Sequence, residues 1–209
     1  MSTSPARTPA TARGERTRAA LVAAARTVFE RDGYLGARLT DIAAEANCST
    51  GSFYTYFDAK EQIFQAVLEA AQDDMLHPGM PRLADDEASP QAVVRASNRA
   101  YLQAYQRNAR LMQLLEQVAA IDPEFREVRR RRAQVFVRRN AQAIAQLQAQ
   151  GAADPTLDAE LASRALSAMV SRMAYTTFCL GERTSMNELV EGCTQLWVNA
   201  LRLDDPATV

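Results

Sequence analysis

A chain of 209 residues has room for one or two domains at ~150 residues each, and its 47% hydrophobic fraction suits a packed core rather than disorder. Lysine and arginine number 24 against 25 acidic residues, a net charge of -1, which excludes a cationic coat for nucleic acid but not a local basic surface. The single histidine, His77, leaves no His-based metal site or Ser-His-Asp triad, and three widely spaced cysteines (Cys48, Cys179, Cys193) fit a reduced intracellular protein without a disulfide framework.

In chain order, residues 1–14 are rich in Ser, Thr, Pro and Ala with scattered Arg, which predicts a flexible basic arm and no signal peptide. No stretch approaches ~18 consecutive apolar residues, so a soluble, cytoplasmic protein is expected. Leu21, Val22, Ala25, Val28 and Phe29 recur at helical spacing, and Gly33 ends that pattern. Thr40 is read as the cap of a short helix reaching about Asn47. After a turn at Cys48, Ser49 caps a second short helix through Phe57. Asp58 and Glu61 match a capping box that opens a longer helix with Ile63, Phe64, Val67, Leu68, Ala71 and Met75 on its apolar face.

Prolines and acids between His77 and Ser89 mark a loop, and Ser89-Pro90 restarts a helix. Leu111 to Val118 is apolar and helical. Asp122-Pro123-Glu124 starts a long helix that stops at Gly151. Asp154-Pro155-Thr156 precedes a helix through Leu180, broken by Gly181. A second capping box, Ser185 to Glu188, opens the last helix, which runs to about Leu203. The expectation is an all-α chain of about nine helices: a compact N-terminal unit of three over 15–60, six longer ones over 61–203, and a tail over 204–209.

Two short helices joined by a tight turn form a layout whose second helix can enter the major groove. The second helix begins with small residues, Thr50, Gly51 and Ser52, which can approach phosphates or base edges closely. Phe53 and Phe57 form its inward face; Tyr54, Thr55 and Tyr56 project elsewhere. Thr40-Asp41-Ile42-Ala43, then Ser49 through Phe57, then Lys60-Glu61 together resemble the DNA-binding signature of the TetR family of bacterial transcriptional regulators. The resemblance covers about residues 17–64, departing from it in Asp58 and Ala59, where Pro and Ser are frequent. It implies a homodimeric repressor that a small molecule releases from palindromic DNA, with no cofactor and no catalytic activity. It also implies phosphate contacts at Thr40, Tyr54, Tyr56 and Lys60, and base reading at Thr50, Gly51, Ser52 and Thr55, with Ser49 at the same helix start.

Charge agrees with this orientation: residues 1–60 carry eight basic against six acidic side chains, and Lys60 is the chain's single lysine. Arg13 and Arg16 have two readings, minor-groove or phosphate contact and simple solvation. The last two helices are broad apolar amphipaths; by resemblance they form a four-helix interface with a symmetry mate. Met169, Leu189, Cys193, Leu196 and Trp197 are the candidate interface residues, with Trp197 as anchor. Candidate pocket residues are Phe64, Leu68, Tyr101, Tyr105, Leu111, Met112, Leu115, Glu116, Arg132, Phe136, Met169, Met173 and Phe178, an inventory suited to an apolar or amphipathic effector.

The long helix after Pro123 carries Arg129, Arg130, Arg131, Arg132, Arg138 and Arg139. Taking ~100° per residue from Phe125, Arg132 and Arg139 fall within the apolar arc of Val128, Val135, Phe136, Ala143 and Leu147. Two readings fit: an internal ion pair with Glu116, or an anchor for the anionic group of an amphipathic effector such as a fatty acid or its coenzyme A thioester. Two other classes stay open for the whole chain, a helical small-molecule enzyme and a scaffold that uses the helix-turn-helix structurally. DNA footprinting separates them from a regulator.

Overall fold

The computed structural model describes residues 11–77 and 89–203. The expectations for the arm before residue 11, for 78–88 and for the tail after 203 lie outside them. Among the described residues the chain forms nine α-helices and no strand: α1 (Ala12–Gly36), α2 (Leu39–Glu45), α3 (Thr50–Tyr56), α4 (Lys60–Leu76), α5 (Pro90–Arg107), α6 (Ala109–Ile121), α7 (Pro123–Ala149), α8 (Ala159–Leu180) and α9 (Met186–Leu201). The all-α expectation holds, and no described helix is long and apolar enough to cross a membrane.

Short polar side chains start most helices by accepting the orphan amides of the first turn. Ser49 Oγ accepts from the Ser52 amide at 3.1 Å, Ser89 Oγ from Ala92 at 3.2 Å and Asp122 from Glu124 at 2.8 Å. Ser185 and Glu188 form a reciprocal capping box. Two expected caps are corrected. The carbonyl of Arg38 accepts from the Ile42 amide at 3.2 Å and so opens α2, which puts Thr40 inside the first turn with its side chain exposed. At α4 the cap residue is Ala59, because Gln62 Oε1 takes the Asp58 amide at 2.8 Å and Glu61 accepts from the Tyr34 hydroxyl at 2.9 Å. Asp58 therefore does not act as the cap, and Glu61 ties α4 to the end of α1 instead. The first helix also begins at Ala12, capped by Thr11, so Arg13 lies on a helix rather than on the arm.

The turn between α2 and α3 depends on Asn47, whose φ of 51° is left-handed. It lets the Cys48 amide reach back to the Ala43 carbonyl at 2.9 Å, which closes α2. Gly33 (φ 74°) similarly kinks α1 before its last residues.

One aromatic cluster joins the N-terminal unit to the body. Phe64 of α4 meets Phe29 of α1 at 4.8 Å, Tyr34 at 4.9 Å and Phe125 of α7 at 5.3 Å between ring centres. Phe29, Phe53, Phe57 and Phe64 are fully buried. A polar hub lies alongside: Arg26 of α1 donates to Asn108 Oδ1 at 2.9 Å, and the Asn108 amide donates to Asp74 of α4 at 2.8 Å. A hydrogen bond from Arg107 holds the Asp74 carboxyl below its ordinary range. These contacts fix α4 as the strut between the two halves.

Candidate nucleic-acid interface and ligand cavity

The helix-turn-helix presents one open polar face. Phe53 and Phe57 point inward as the spacing predicts. Thr40, Ser49, Thr50, Gly51 and Thr55 are exposed, Tyr54 is 49% exposed, and Ser52 and Tyr56 are half-buried. Ser49 and Ser52 share a 3.0 Å hydroxyl contact, and Thr55 donates to the Gly51 carbonyl at 3.4 Å. A Cβ added at Gly51 would meet only Ser49 Oγ, at 3.7 Å, an ordinary contact. The fold does not require glycine there.

Lys60 takes a position that its sequence context does not reveal. Its ammonium donates to the carbonyls of Tyr34 (2.9 Å), Ala37 (3.2 Å) and Leu35 (3.5 Å) and stands 4.9 Å from the Tyr34 ring centre. A cation at the C-terminal end of a helix meets carbonyls with no intrahelical donor. Arg13 and Arg16 are exposed on the first turns of α1.

The body holds a cavity of about 800 Å³, open to the surface and lined by α4 to α9. Of the candidate pocket residues, Tyr101, Tyr105, Met112, Leu115, Glu116, Arg132 and Phe136 border it. Phe64 belongs to the aromatic core instead, Leu111 is fully buried, and Leu68 packs beside a small secondary cleft between α4 and α7. Met169, Met173 and Phe178 pack against the core outside the cavity wall. Tyr101 meets Phe136 edge-on at 5.5 Å and Tyr105 at 6.0 Å, and burial pushes both tyrosine hydroxyls well above their ordinary pKa.

Sequence reasoning missed Val94, Asn98, Asn140, Ile144, Tyr175 and Trp197 as cavity residues. For Asn98 there was a signal: Val94, Asn98, Tyr101 and Tyr105 repeat at helical spacing, so one amide sits within an apolar stripe. It donates to Thr194 of α9 at 3.2 Å.

The proposed dimer anchors also fall differently. Leu189, Cys193 and Trp197 are buried within the protomer, and Trp197 borders the cavity with its indole N–H meeting no acceptor. They face inward because α9 packs on α5 and α8. Met169 is half-buried, and Leu196 alone of the five is exposed, at 48%.

The arginines of α7 divide by partner. Glu116 pairs with Arg129, at 2.6 Å, not with Arg132. Arg129 sits one turn nearer the α6–α7 junction on the same face of α7, so it reaches Glu116 first. Arg132 is 8% exposed and turns towards α4, donating to the Leu68 carbonyl and to Gln72 Oε1 at 3.3 Å. Burial pushes its pKa down to about 10. Arg139 donates to the Leu76 carbonyl at 3.0 Å.

A capped two-helix motif with an open polar face, carried by a helical body around an apolar-walled cavity, defines a ligand-responsive helix-turn-helix regulator. The family model "Bacterial regulatory proteins, tetR family" matches residues 21–67, and "Transcriptional regulator EthR, C-terminal domain" matches residues 94–202. The chain belongs to the TetR family of bacterial DNA-binding transcriptional regulators, whose helical domain responds to ligands.

It is 25% identical over 197 residues to the HTH-type transcriptional regulator TtgR of Pseudomonas putida, covering 90% of this chain and 93% of that one. The similarity to the regulator YfiR of Bacillus subtilis is 32% over 79 residues, so this chain spans about a third of that relative's length (36%). Among solved structures, a TetR-family regulator from Rhodococcus sp. superposes with a TM-score of 0.74 at 20% identity, covering 90% of this chain and 98% of that one. Salmonella enterica GusR gives 0.73 at 18% identity, over 90% and 96% of the two chains.

Proposed function

We propose that the protein represses transcription as a homodimer on a pseudo-palindromic operator and leaves it when a small apolar or amphipathic molecule fills the cavity. The observation that carries this reading is the pairing, within one body, of an open recognition face on α3 with the aromatic cavity that α4 borders. Two-fold protein symmetry calls for two-fold half-sites about one helical turn or a multiple apart. Thr50, Gly51, Ser52 and Thr55 read bases; Thr40, Tyr54 and Tyr56 hold phosphates.

The dimer contact is proposed on the outer face of α8 and α9, where Leu161, Ala165, Gly192, Leu196 and Ala200 are exposed. Gly192 supports this. A Cβ there would stand in open space, yet glycine inside a helix costs about 1 kcal/mol against alanine. Close approach of a second helix accounts for it.

Selection of bound sequences from a random DNA pool tests the operator. A two-fold consensus that a cavity-binding amphiphile releases is expected; no enriched sequence contradicts the reading. Gly51→Ala sharpens it. Because the fold leaves room for the methyl group, the thermal midpoint should hold or rise, while operator affinity falls about tenfold, as one lost base contact would give. Equal affinity removes Gly51 from the interface.

Lys60 is where two roles part. As a phosphate contact, Lys60→Ala lowers the slope of log affinity against log salt by about one. As a clamp on the end of α1, it lowers stability instead, and the three carbonyl bonds favour that outcome. The expected result is a loss of about 1–2 kcal/mol in denaturant unfolding with the salt slope unchanged.

A further inference from the structure

The cavity wall is electrostatically one-sided. Five arginines border it, Arg129, Arg132, Arg139, Arg164 and Arg172, against one carboxylate, Glu116. Two of them are neutralised: Arg129 by Glu116 at 2.6 Å and Arg164 by Glu160 at 2.9 Å. Among the described residues the other three, Arg132, Arg139 and Arg172, have no carboxylate within ion-pair distance, and Arg172 lies over the Tyr175 ring at 5.5 Å. Arg132 is 92% buried (8% exposed), and its acceptors are neutral: the Leu68 carbonyl, Gln72 Oε1 and, at 3.7 Å, Met112 Sδ. A guanidinium so placed has lost most of its hydration without gaining a counter-charge in contact, since Glu69 acts on it only from beyond ion-pair distance.

Both neutral anchors lie on one helix. Arg132 holds the Leu68 carbonyl in the middle of α4, and Arg139 holds the Leu76 carbonyl at its end, at 3.0 Å. The two donors lie two turns apart on α7, matching two acceptors two turns apart on α4. The same arginines border the cavity, so one side chain can serve α4 or a ligand in the cavity. An ionised acceptor adds a Coulombic attraction, and a carboxylate or phosphate takes two parallel hydrogen bonds from the guanidinium fork, neither of which a single carbonyl offers. A carboxylate or phosphate entering the cavity would therefore draw the guanidinium away from the carbonyl.

We propose that Arg132 and Arg139 clasp α4 in the empty protein, and that an amphipathic anion in the cavity takes Arg132 as its counter-ion and opens the clasp. This rests on the reading of the cavity as the effector site and specifies the effector's class and the way its presence reaches the DNA-binding unit. Helix α4 is the route, because its N-terminal end carries Lys60 and Glu61, both bonded to the end of α1. The apolar walls around Tyr101, Phe136 and Ile144 take the tail, and the arginines take the head group.

The test uses full-length protein with sodium decanoate and decanol, which share a tail and differ in charge, and reads amide hydrogen exchange along α4. In wild type, decanoate should speed exchange over Leu68–Leu76 while decanol leaves it unchanged. Without any ligand, Arg132→Met should show that faster exchange, about tenfold or more, with the α1 core from Leu21 to Phe29 unaltered as the internal reference. The same variant should bind decanoate at least about tenfold more weakly by calorimetry. Should Arg132→Met fail to fold, Arg139→Met at the exposed end of the clasp carries the ligand-free comparison over Ala71–Leu76. Wild-type exchange in the ligand-free variants overturns the clasp. An equal response to decanol, or full decanoate affinity in Arg132→Met, overturns the anion assignment. Binding of neither compound overturns the effector-site reading beneath it, which the ligand-free comparison does not touch.

Discussion

Phe64→Ala should cost about 3–5 kcal/mol of stability, the range for emptying a buried phenylalanine site. The ring is fully buried and meets Phe29, Tyr34 and Phe125 within 5.3 Å between centres. Those partners come from α1, the end of α1 and α7, so the void would open where the DNA-binding unit joins the body. Against a typical total of about 5–15 kcal/mol, that loss removes a large share of the stability. For a chain of this size the thermal midpoint should drop by roughly 10 °C or more. Phe64→Leu, which keeps most of the volume, should lose less than half as much. The same variants decide between two sequence readings of this position. A cavity-wall residue would change ligand affinity and leave the midpoint nearly intact; the core position seen here predicts the reverse.

Leu196→Glu should convert the proposed dimer to monomers without unfolding them. Leu196 is 48% exposed on the outer face of α9, so the protomer tolerates a carboxylate there. In a two-fold interface each substitution occurs twice, and burying an unpaired charge at about 2 kcal/mol per copy raises the dimer dissociation constant on the order of 10³-fold. Operator affinity should fall with it, because one helix-turn-helix module alone buries only about 600–1,000 Å² on DNA. Gly192→Leu should act in the same direction by holding the partner helix off. Trp197→Glu differs in kind: Trp197 is buried within the protomer against the cavity, so that change should unfold the chain. Sedimentation of Leu196→Glu as a stable dimer, with folded circular dichroism, moves the interface elsewhere.

Most of the helical frame is readable from short-range chemistry. Ser49, Ser89, Asp122 and Ser185 cap helices because a short oxygen-bearing side chain before an apolar repeat has one low-energy use. Thr40 and Asp58 carry the same chemistry and do not cap, since a distant side chain holds the turn before the first and a side chain from the first turn of α4 takes the backbone of the second. Lys60 anchors one turn from α4, and Gln62 takes the Asp58 amide at the other. Periodicity likewise identifies which face of α9 is apolar but not what covers it. Leu189, Cys193 and Trp197 read equally well as core or as interface, and packing on α5 and α8 decides for core. The cavity is least legible. A void belongs to the packing of six helices, so the same aromatic inventory supplies core at Phe64 and wall at Phe136. Arg132 lies between these cases: the arc of α7 exposes it as an anomaly, while its partner on α4 emerges only in three dimensions.

Footprinting on the sequence selected from a random pool, with and without a cavity ligand, addresses the central claim most directly. The account predicts protection of two half-sites related by a two-fold axis, spaced about one helical turn or a multiple apart, and loss of both protections together when the ligand binds. Protection of a single unsymmetrical site, or two-fold protection that no cavity-binding amphiphile disturbs, would contradict it.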